Sequence, residues 1–330
     1  MPDFHAEASA LPETDIRQVL SGPTMGSRWT AVYHAPASFD AAGLRTALQA
    51  AVDRVDDQMS SWKPGSDLNR LNAAPVGRWI DLPVELATVL DAALAVGTAS
   101  GGAFDIGVGD LVRAWGFGAG AGMPDPAAAA QAAHLRLASP PQSLELDCVN
   151  RRARKHAALR LDLSGIAKGF GVDELGRAMA AAGLRSWLVG IDGEMLARGT
   201  KPGGRPWAIA HESPREGHRE IAGILELVDC AVATSGDYRH VQEVDGRRVS
   251  HTMDPRRNAP LASDLASVTV LADTCMAADA WATAILVAGA AAGRELAGRR
   301  GLRVLAFDRN GAMVLSLEGR SRQDAVARHP

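Results

Sequence analysis

Apolar residues change their spacing partway along this 330-residue chain, and that change limits the folds open to it. From Leu44 they recur at Leu48, Val52, Val55 and Met59, one stripe of an amphipathic helix. Pro83 opens a second helix through Val96, ending near Gly97. A third runs from about Ser164, a good N-cap, to Gly183, a good C′ residue. Beyond Gly183 the runs are short and β-like, at 186–189, 195–198, 207–211, 221–228, 248–253 and 265–271. A helix from Thr274 to about Ala288 follows, then strands at 302–307 and 313–317. Earlier, Trp29 to His34 forms a strand, and Pro126 starts a short Ala-rich helix inside the loop-like stretch from Gly116 to Ala133. Residues 1–20 are polar and form a loose arm. Partly segregated helices and meandering strands predict an α+β fold, with mixed or antiparallel sheets and packed helices in two interlocked subdomains. No internal repeat is present, and no G-x-G-x-x-G follows a strand, so a Rossmann site is unsupported.

Composition narrows the function classes. Hydrophobic residues make up 47% and charged residues 22%, as in ordinary globular proteins, and the net charge of −3 draws the molecule to neither nucleic acid nor an anionic membrane. The basic run Arg151 to Lys155 is short and predicts a solvated loop. Cys148, Cys230 and Cys275 form no C-x-x-C pair, so neither a disulfide framework nor a thiolate zinc site is indicated, and the last two suit a core. No stretch approaches the ~20 apolar residues of a membrane span. The N-terminus lacks the basic start and apolar run of a signal peptide, which predicts a cytoplasmic protein.

Five segments concentrate Gly with polar residues beyond what a core requires. Thr24-Met25-Gly26-Ser27 precedes the first strand. Met59 to Asp67 ends the first helix and holds Trp62, placed to stack on a flat ring or else to cap the core. Gly101 to Gly107 pairs glycines, which let backbone N–H groups approach a ligand, with Asp105, a carboxylate for a ring N–H or hydroxyl. A simple turn explains those glycines almost as well. Asp162 to Gly169 joins a strand to a helix with Lys168 one turn inside, and helix N-termini suit phosphate, although the Walker A order is missing. Asp279 and Thr283, four residues apart, share a helix face as a hard-oxygen pair suited to Mg²⁺; by spacing alone, a Thr bonded back to its own helix is the stronger alternative. Thr234 to Tyr238 and His251 to Pro255 lie between, and His251 is a candidate base. His211, His218 and His240 show no spacing that sets them apart from structural histidines.

Taken in order, these segments resemble the FAD:protein FMN transferase family, the ApbE-like flavin transferases, from about Thr24 to about Gly311. The markers are T-M-G at 24–26, M-S-S-W-K-P-G-S at 59–66, G-A-F-D at 102–105 and W-G-F-G at 115–118. D-L-S-G-I-A-K-G at 162–169, T-S-G-D-Y at 234–238, H-T-M-D-P at 251–255 and A-D-A-W-A-T at 278–283 complete the set. The resemblance implies that Met25, Trp62, Ala103, Phe104, Asp105, Asp162, Lys168 and Met253 contact FAD. It also implies that the Gly165 carbonyl, Asp279 and Thr283 hold Mg²⁺, which reverses the preference at Asp279 and Thr283. The chemistry implied is attack by a Ser or Thr hydroxyl of an acceptor protein on the FMN-side phosphorus, releasing AMP. Lys168 and Asp279 serve that site, with His251 or a nearby Asp taking the proton. The acceptor implied is a flavin-carrying subunit of a redox complex with a short Ser/Thr target motif. The catalytic domain is placed at 21–318, between the arm at 1–20 and a C-terminal tail at 319–330. Alternatives are a FAD pyrophosphatase that uses water, a non-catalytic FAD-binding protein and, least supported, a flavin oxidoreductase. The chain departs from the family pattern in four places. Trp62 stands where a Tyr is common, Ala282 where some members carry an acid, Asp192-Gly193-Glu194 for G-G-D, and Arg256-Arg257-Asn258 for a turn with Thr-Gly. Family members are often periplasmic or lipid-anchored.

Overall fold

Met25 and Gly26, both left-handed (φ 46° and 73°), close a two-residue hairpin between β1 (Ile16–Thr24) and β2 (Ser27–Ala35). The computed structural model describes residues 15–118, 122–136, 143–212, 214, 221–237, 241–244 and 247–318. Residues 16–20, expected in the loose arm, are therefore the start of an edge strand, paired residue for residue with β2. Residues 1–14 of that arm and the tail at 319–330 lie outside the described residues.

The first layer is helical. α1 (Ala41–Met59) begins three residues earlier than its apolar stripe, because the Asp40 side chain caps Gly43 N at 2.9 Å. α2 (Asp67–Ala73), unforeseen in the sequence, is capped by Ser66. β3 (Trp79–Asp81) leads to α3 (Val84–Ala99), with Pro83 just outside it. α4 (Gly109–Ala114) and α5 (Pro126–Leu135) follow; Asp125 caps the latter at Ala127 N and Ala128 N. β4 (Leu144–Asp147) and β5 (Arg152–Lys155) complete a three-stranded sheet with β3, in the order β3-β5-β4 with β5 in the middle. The basic run is thus a strand and not a solvated loop. Its alternation explains why: Ala153 and Lys155 turn inward, while the Arg152 and Arg154 guanidinium carbons each lie 4.5 Å from the Trp79 ring centre. Lys155 Nζ donates to Asn72 O at 2.6 Å, and burial lowers its pKa.

α6 (Ala167–Ala181) starts at Ala167 and not at Ser164. Ser164 N donates to Asp162 Oδ1 at 2.9 Å, so Asp162, not Ser164, supplies the local carboxylate, and the helix turns only after Ile166. Gly183, at φ 78°, ends it as expected. The chain then runs through β6 (Trp187–Ile191), β7 (Glu194–Arg198), β8 (Trp207–Glu212), β9 (Ile221–Leu227), β10 (Cys230–Gly236), β11 (Val241–Val244), β12 (Arg247–Ser250), β13 (Met253–Asp254), β14 (Ala259–Pro260) and β15 (Leu265–Ala272). α7 (Cys275–Ala288), α8 (Ala290–Arg300), β16 (Arg303–Asp308) and β17 (Met313–Leu317) close the chain. Eight strands form one antiparallel sheet in the order β1-β2-β6-β7-β10-β15-β16-β17, while β8-β9, β11-β12 and β13-β14 remain two-stranded. The expected run 248–253 is split between β12 and β13, and β10, read in the sequence only as a polar cluster, is a central strand.

α7 is apolar nearly all round and is buried nearly all round, between β10, β15 and α6. Thr274 caps Ala277 N, and the Asp173 carboxylate of α6 accepts from Cys275 N and Met276 N at 2.8 and 3.0 Å, satisfying the first turn of α7. One continuous hydrophobic cluster joins the small sheet (Leu144, Ala153), α3, α7 and β15. The two parts share a core, which is the physical content of interlocking. Cys275 belongs to the α1–α6–sheet core as expected, while Cys230 is half-buried. Among the described residues no helix is long and apolar enough to cross a membrane.

Candidate active site

A cavity of about 800 Å³ opens where the N-terminus of α6, the flank of α7 and the ends of the main sheet converge. Trp62, Ala103, Phe104, Asp105, Asp162, Gly165, Lys168, His251, Met253, Asp279 and Thr283 all line it. Twelve residues were singled out, and Met25 is the exception. Its side chain packs toward α6, where a Cβ on Gly171 would sit 3.0 Å from Met25 Cε, while its neighbours Gly26 and Ser27 line the cavity.

Trp62 is 63% exposed, so it does not cap the core. Its loop is nonetheless fixed. Ser60 Oγ accepts from Trp62 N and Lys63 N, and Asn69 Nδ2 donates to the carbonyls of Ser60, Ser61 and Lys63. An indole held this way at a rim is a preformed stacking platform. In the glycine loop, Gly101 and Gly102 take φ 65° and 79°, and Ala103 and Phe104, which follow them, are buried.

Asp105 is already engaged. Its Oδ1 accepts from Gly107 N at 2.7 Å and its Oδ2 from Arg136 Nη2 at 2.5 Å. Arg136, at the end of α5, also donates through Nη1 to Gly107 O at 2.8 Å and through Nε to Asn258 Oδ1 at 2.7 Å. It ties the glycine loop to the turn that follows His251 and Met253. Asn258 holds φ 51°, a left-handed position that an Asn tolerates in place of the family's usual turn. Nothing in the sequence marked Arg136, because its partners lie 31 and 122 positions away.

The polar floor is charged and buried. Lys168 Nζ lies 3.1 and 3.0 Å from Glu194 Oε1 and Oε2, and Glu194 and Asp279 are each 3% exposed. Asp279 Oδ2 accepts from Gly169 N at 3.0 Å. One turn along α7, Thr283 Oγ1 lies 2.9 Å from Ser235 Oγ, and a Cβ on Gly165 would sit 3.1 Å from the same hydroxyl. Thr283 therefore faces the site, and the reading in which it only bonds back to its helix fails.

Burial opposes the Lys168 charge, but Glu194 and Asp279 outweigh it and lift its pKa, so the ammonium persists. Burial raises Glu194 despite Lys168. Burial and the Glu194 charge push Asp279 up to about 7. Two buried carboxylates around one ammonium leave negative charge uncompensated, and a further cation would relieve it. Among the described residues no group of three or more His, Cys, Asp or Glu is placed to hold a metal ion. The Asp279 carboxylate and the Thr283 hydroxyl line the cavity with Gly165 beside the latter, and hard oxygens of this kind could hold a cation such as Mg²⁺ with retained waters. His251 lines the same cavity with its ring 6.3 Å from that of Phe117, edge to face.

Comparison with known proteins agrees with this geometry. The model of the ApbE family matches residues 25–306. A FAD:protein FMN transferase from Vibrio cholerae is 36% identical over 280 residues, 84% of this chain and 83% of that protein. The solved flavin transferase ApbE from Vibrio cholerae superposes with a TM-score of 0.80 at 33% identity, covering 89% of this chain and 94% of its own. The apo flavinyl transferase ApbE of Pseudomonas stutzeri gives 0.79 at 36% identity, with 91% and 93% covered. Matched along most of its length by family model, sequence relatives and fold, the chain belongs to the ApbE family.

Proposed function

We propose that this protein transfers the FMN half of FAD onto a Ser or Thr hydroxyl of an acceptor protein. The observation that carries this reading is the charged floor of the cavity, where Lys168 and the N-terminus of α6 meet the Gly165, Asp279 and Thr283 oxygens below the Trp62 rim. A pyrophosphate needs that mixture of fixed positive charge and metal-binding oxygens, and a flat ring system needs the indole.

In the proposed reaction the acceptor hydroxyl oxygen bonds to the FMN-side phosphorus. The bond from that phosphorus to the bridging oxygen breaks, AMP leaves with the electron pair, and His251 takes the hydroxyl proton. Lys168, at the positive end of α6, stabilises charge on the phosphoryl oxygens. Trp62 orients the isoalloxazine, and Ala103 to Asp105, Asp162 and Met253 complete the FAD contacts, with Met25 supporting them from behind. Gly165, Asp279 and Thr283 would hold Mg²⁺, which neutralises pyrophosphate charge when bound. The acceptor is a flavin-carrying subunit of a redox complex.

Incubation with FAD, Mg²⁺ and a peptide carrying an Ala-Thr target tests the reading by intact mass. The expected product is the peptide plus one FMN phosphoryl group, dependent on Mg²⁺. Free FMN and AMP with an unmodified peptide would identify a hydrolase instead.

A further inference from the structure

The lining of the cavity continues past the residues assigned to FAD or Mg²⁺ to side chains of β8, β9, β10 and β15, a part called here its second lobe. Ser235 turns toward α7, so its neighbour Thr234 projects from the opposite face. There Thr234 Oγ1 lies 2.8 Å from Thr269 Oγ1, which lies 2.8 Å from His211 Nε2. The lobe is walled on one side by the sheet and on the other by β8 and β9. Ile209, His211, Leu225, Val232, Thr234 and Thr269 line it. Along β8 the alternation is plain: Trp207 and His211 are buried, Ile209 half-buried, and Ala208 and Ala210 exposed.

His211 is held in place. Its ring stacks on Phe307 at 4.9 Å and 26°, and it is 7% exposed. Nδ1 is buried and has no partner among the described residues. A buried imidazole nitrogen without a partner, on the wall of a cavity, marks a place for an incoming polar group. The lobe abuts the phosphate end as well. A Cβ on Gly193 would sit 4.0 Å from Thr234 Cβ, and the next residue, Glu194, is the partner of Lys168. The hairpin itself pairs with no other strand among the described residues, which leaves backbone edges of the kind that extended polypeptides use.

We infer that this lobe seats the acceptor polypeptide, taking the extended segment around its target Ser or Thr. Ile209 and Leu225 meet apolar flanks of that segment, while His211 and the paired threonines meet its polar groups. The inference rests on the transferase reading, which requires a macromolecular substrate to reach the phosphate end from a side that FAD does not fill.

Two variants probe the lobe. Ile209→Trp narrows it from a half-buried position, and His211→Gln keeps a polar end for Thr269 while removing the ring. The probe is the Ala-Thr peptide, with FMN attachment followed by mass and FAD affinity measured separately by flavin fluorescence quenching. Both variants are expected to raise the peptide KM about tenfold, with FAD affinity changed less than about twofold. An unchanged peptide KM in the Ile209→Trp variant overturns the inference, as does a loss of FAD affinity in step with it, which would give the lobe to the dinucleotide. Wild-type protein that binds FAD yet labels no peptide would instead defeat the transferase reading, and the acceptor site with it.

Discussion

At the scale of single residues, Asp279 carries the most chemistry for its size. It is buried, accepts from Gly169 N, and has its pKa pushed up to about 7 by desolvation and Glu194. Asp279→Ala is expected to abolish FMN transfer while leaving the far-ultraviolet circular dichroism unchanged. It also strands the Gly169 N–H, for a stability loss of about 1–3 kcal/mol. Wild-type Tm should rise with added Mg²⁺ and that of the variant should not, because only a ligand that prefers the native state shifts unfolding. Undiminished flavinylation in Asp279→Ala would remove the metal assignment. The spacing of Asp279 and Thr283 was visible in the sequence, yet spacing alone favoured a back-bonded threonine. Only the approach of Ser235 and Gly165 decided the question.

Between elements, two contacts set the geometry of the site. α6 crosses α7 so closely that a Cβ on Gly169 would fall 2.8 Å from Asp279 Cβ. Gly169→Ala should therefore push the helices apart, lowering stability by about 1–3 kcal/mol and cutting transfer as Lys168 and Asp279 separate. Chemical denaturation and a rate assay would check both, and a variant of wild-type stability would contradict the crossing. The second contact is Arg136, which joins α5, the glycine loop and the turn at Asn258. Its removal leaves the buried Asp105 carboxylate without its cation, for about 3 kcal/mol. Arg136→Ala should weaken FAD binding through loss of loop order, and Arg136→Lys should restore little, since an ammonium cannot reproduce the fork. Equal FAD affinity in all three proteins would show that the loop needs no such tie. The helices were legible from periodicity, but the caps were less so. Ser164 looked like an N-cap, and Asp162 took the local hydrogen bond instead.

For the whole molecule, the pH dependence of stability follows from buried histidines. His34 sits 9% exposed beside Trp207, and burial, then Arg17, lower its pKa. A histidine with a depressed folded pKa costs nothing while both states are neutral. As pH falls below about 6.5, the unfolded chain takes up a proton that the folded chain resists, and stability drops. His34→Gln lacks that penalty. The stability difference between wild type and His34→Gln should therefore shift in the variant's favour as pH falls from 7.5 to 5.5 in about one-unit steps of unfolding measurements. A difference that stays constant with pH would mean that His34 titrates normally in the fold.

What the chain determines without its partners is local and periodic. Helical stripes at Leu44 to Met59, a Gly stop at Gly183, strand runs beyond it and glycine-polar clusters each follow from neighbours within a few positions. These sufficed for an α+β class and for most elements, while the resemblance to a family picked out twelve candidate residues, eleven of which line the cavity. What only the tertiary structure decided lies in contacts between distant positions. β1 and β5 were missed because their polar or basic residues find partners across a sheet, where an edge position or the Trp79 ring makes them comfortable. Glu194 became the partner of Lys168, and Arg136 the clamp on Asp105, through separations of 26 and 31 residues that no local pattern encodes. Propensity and periodicity report forces between near neighbours. Charge pairing, desolvation and the shape of a cavity arise only once the sheet and helices bring distant side chains together.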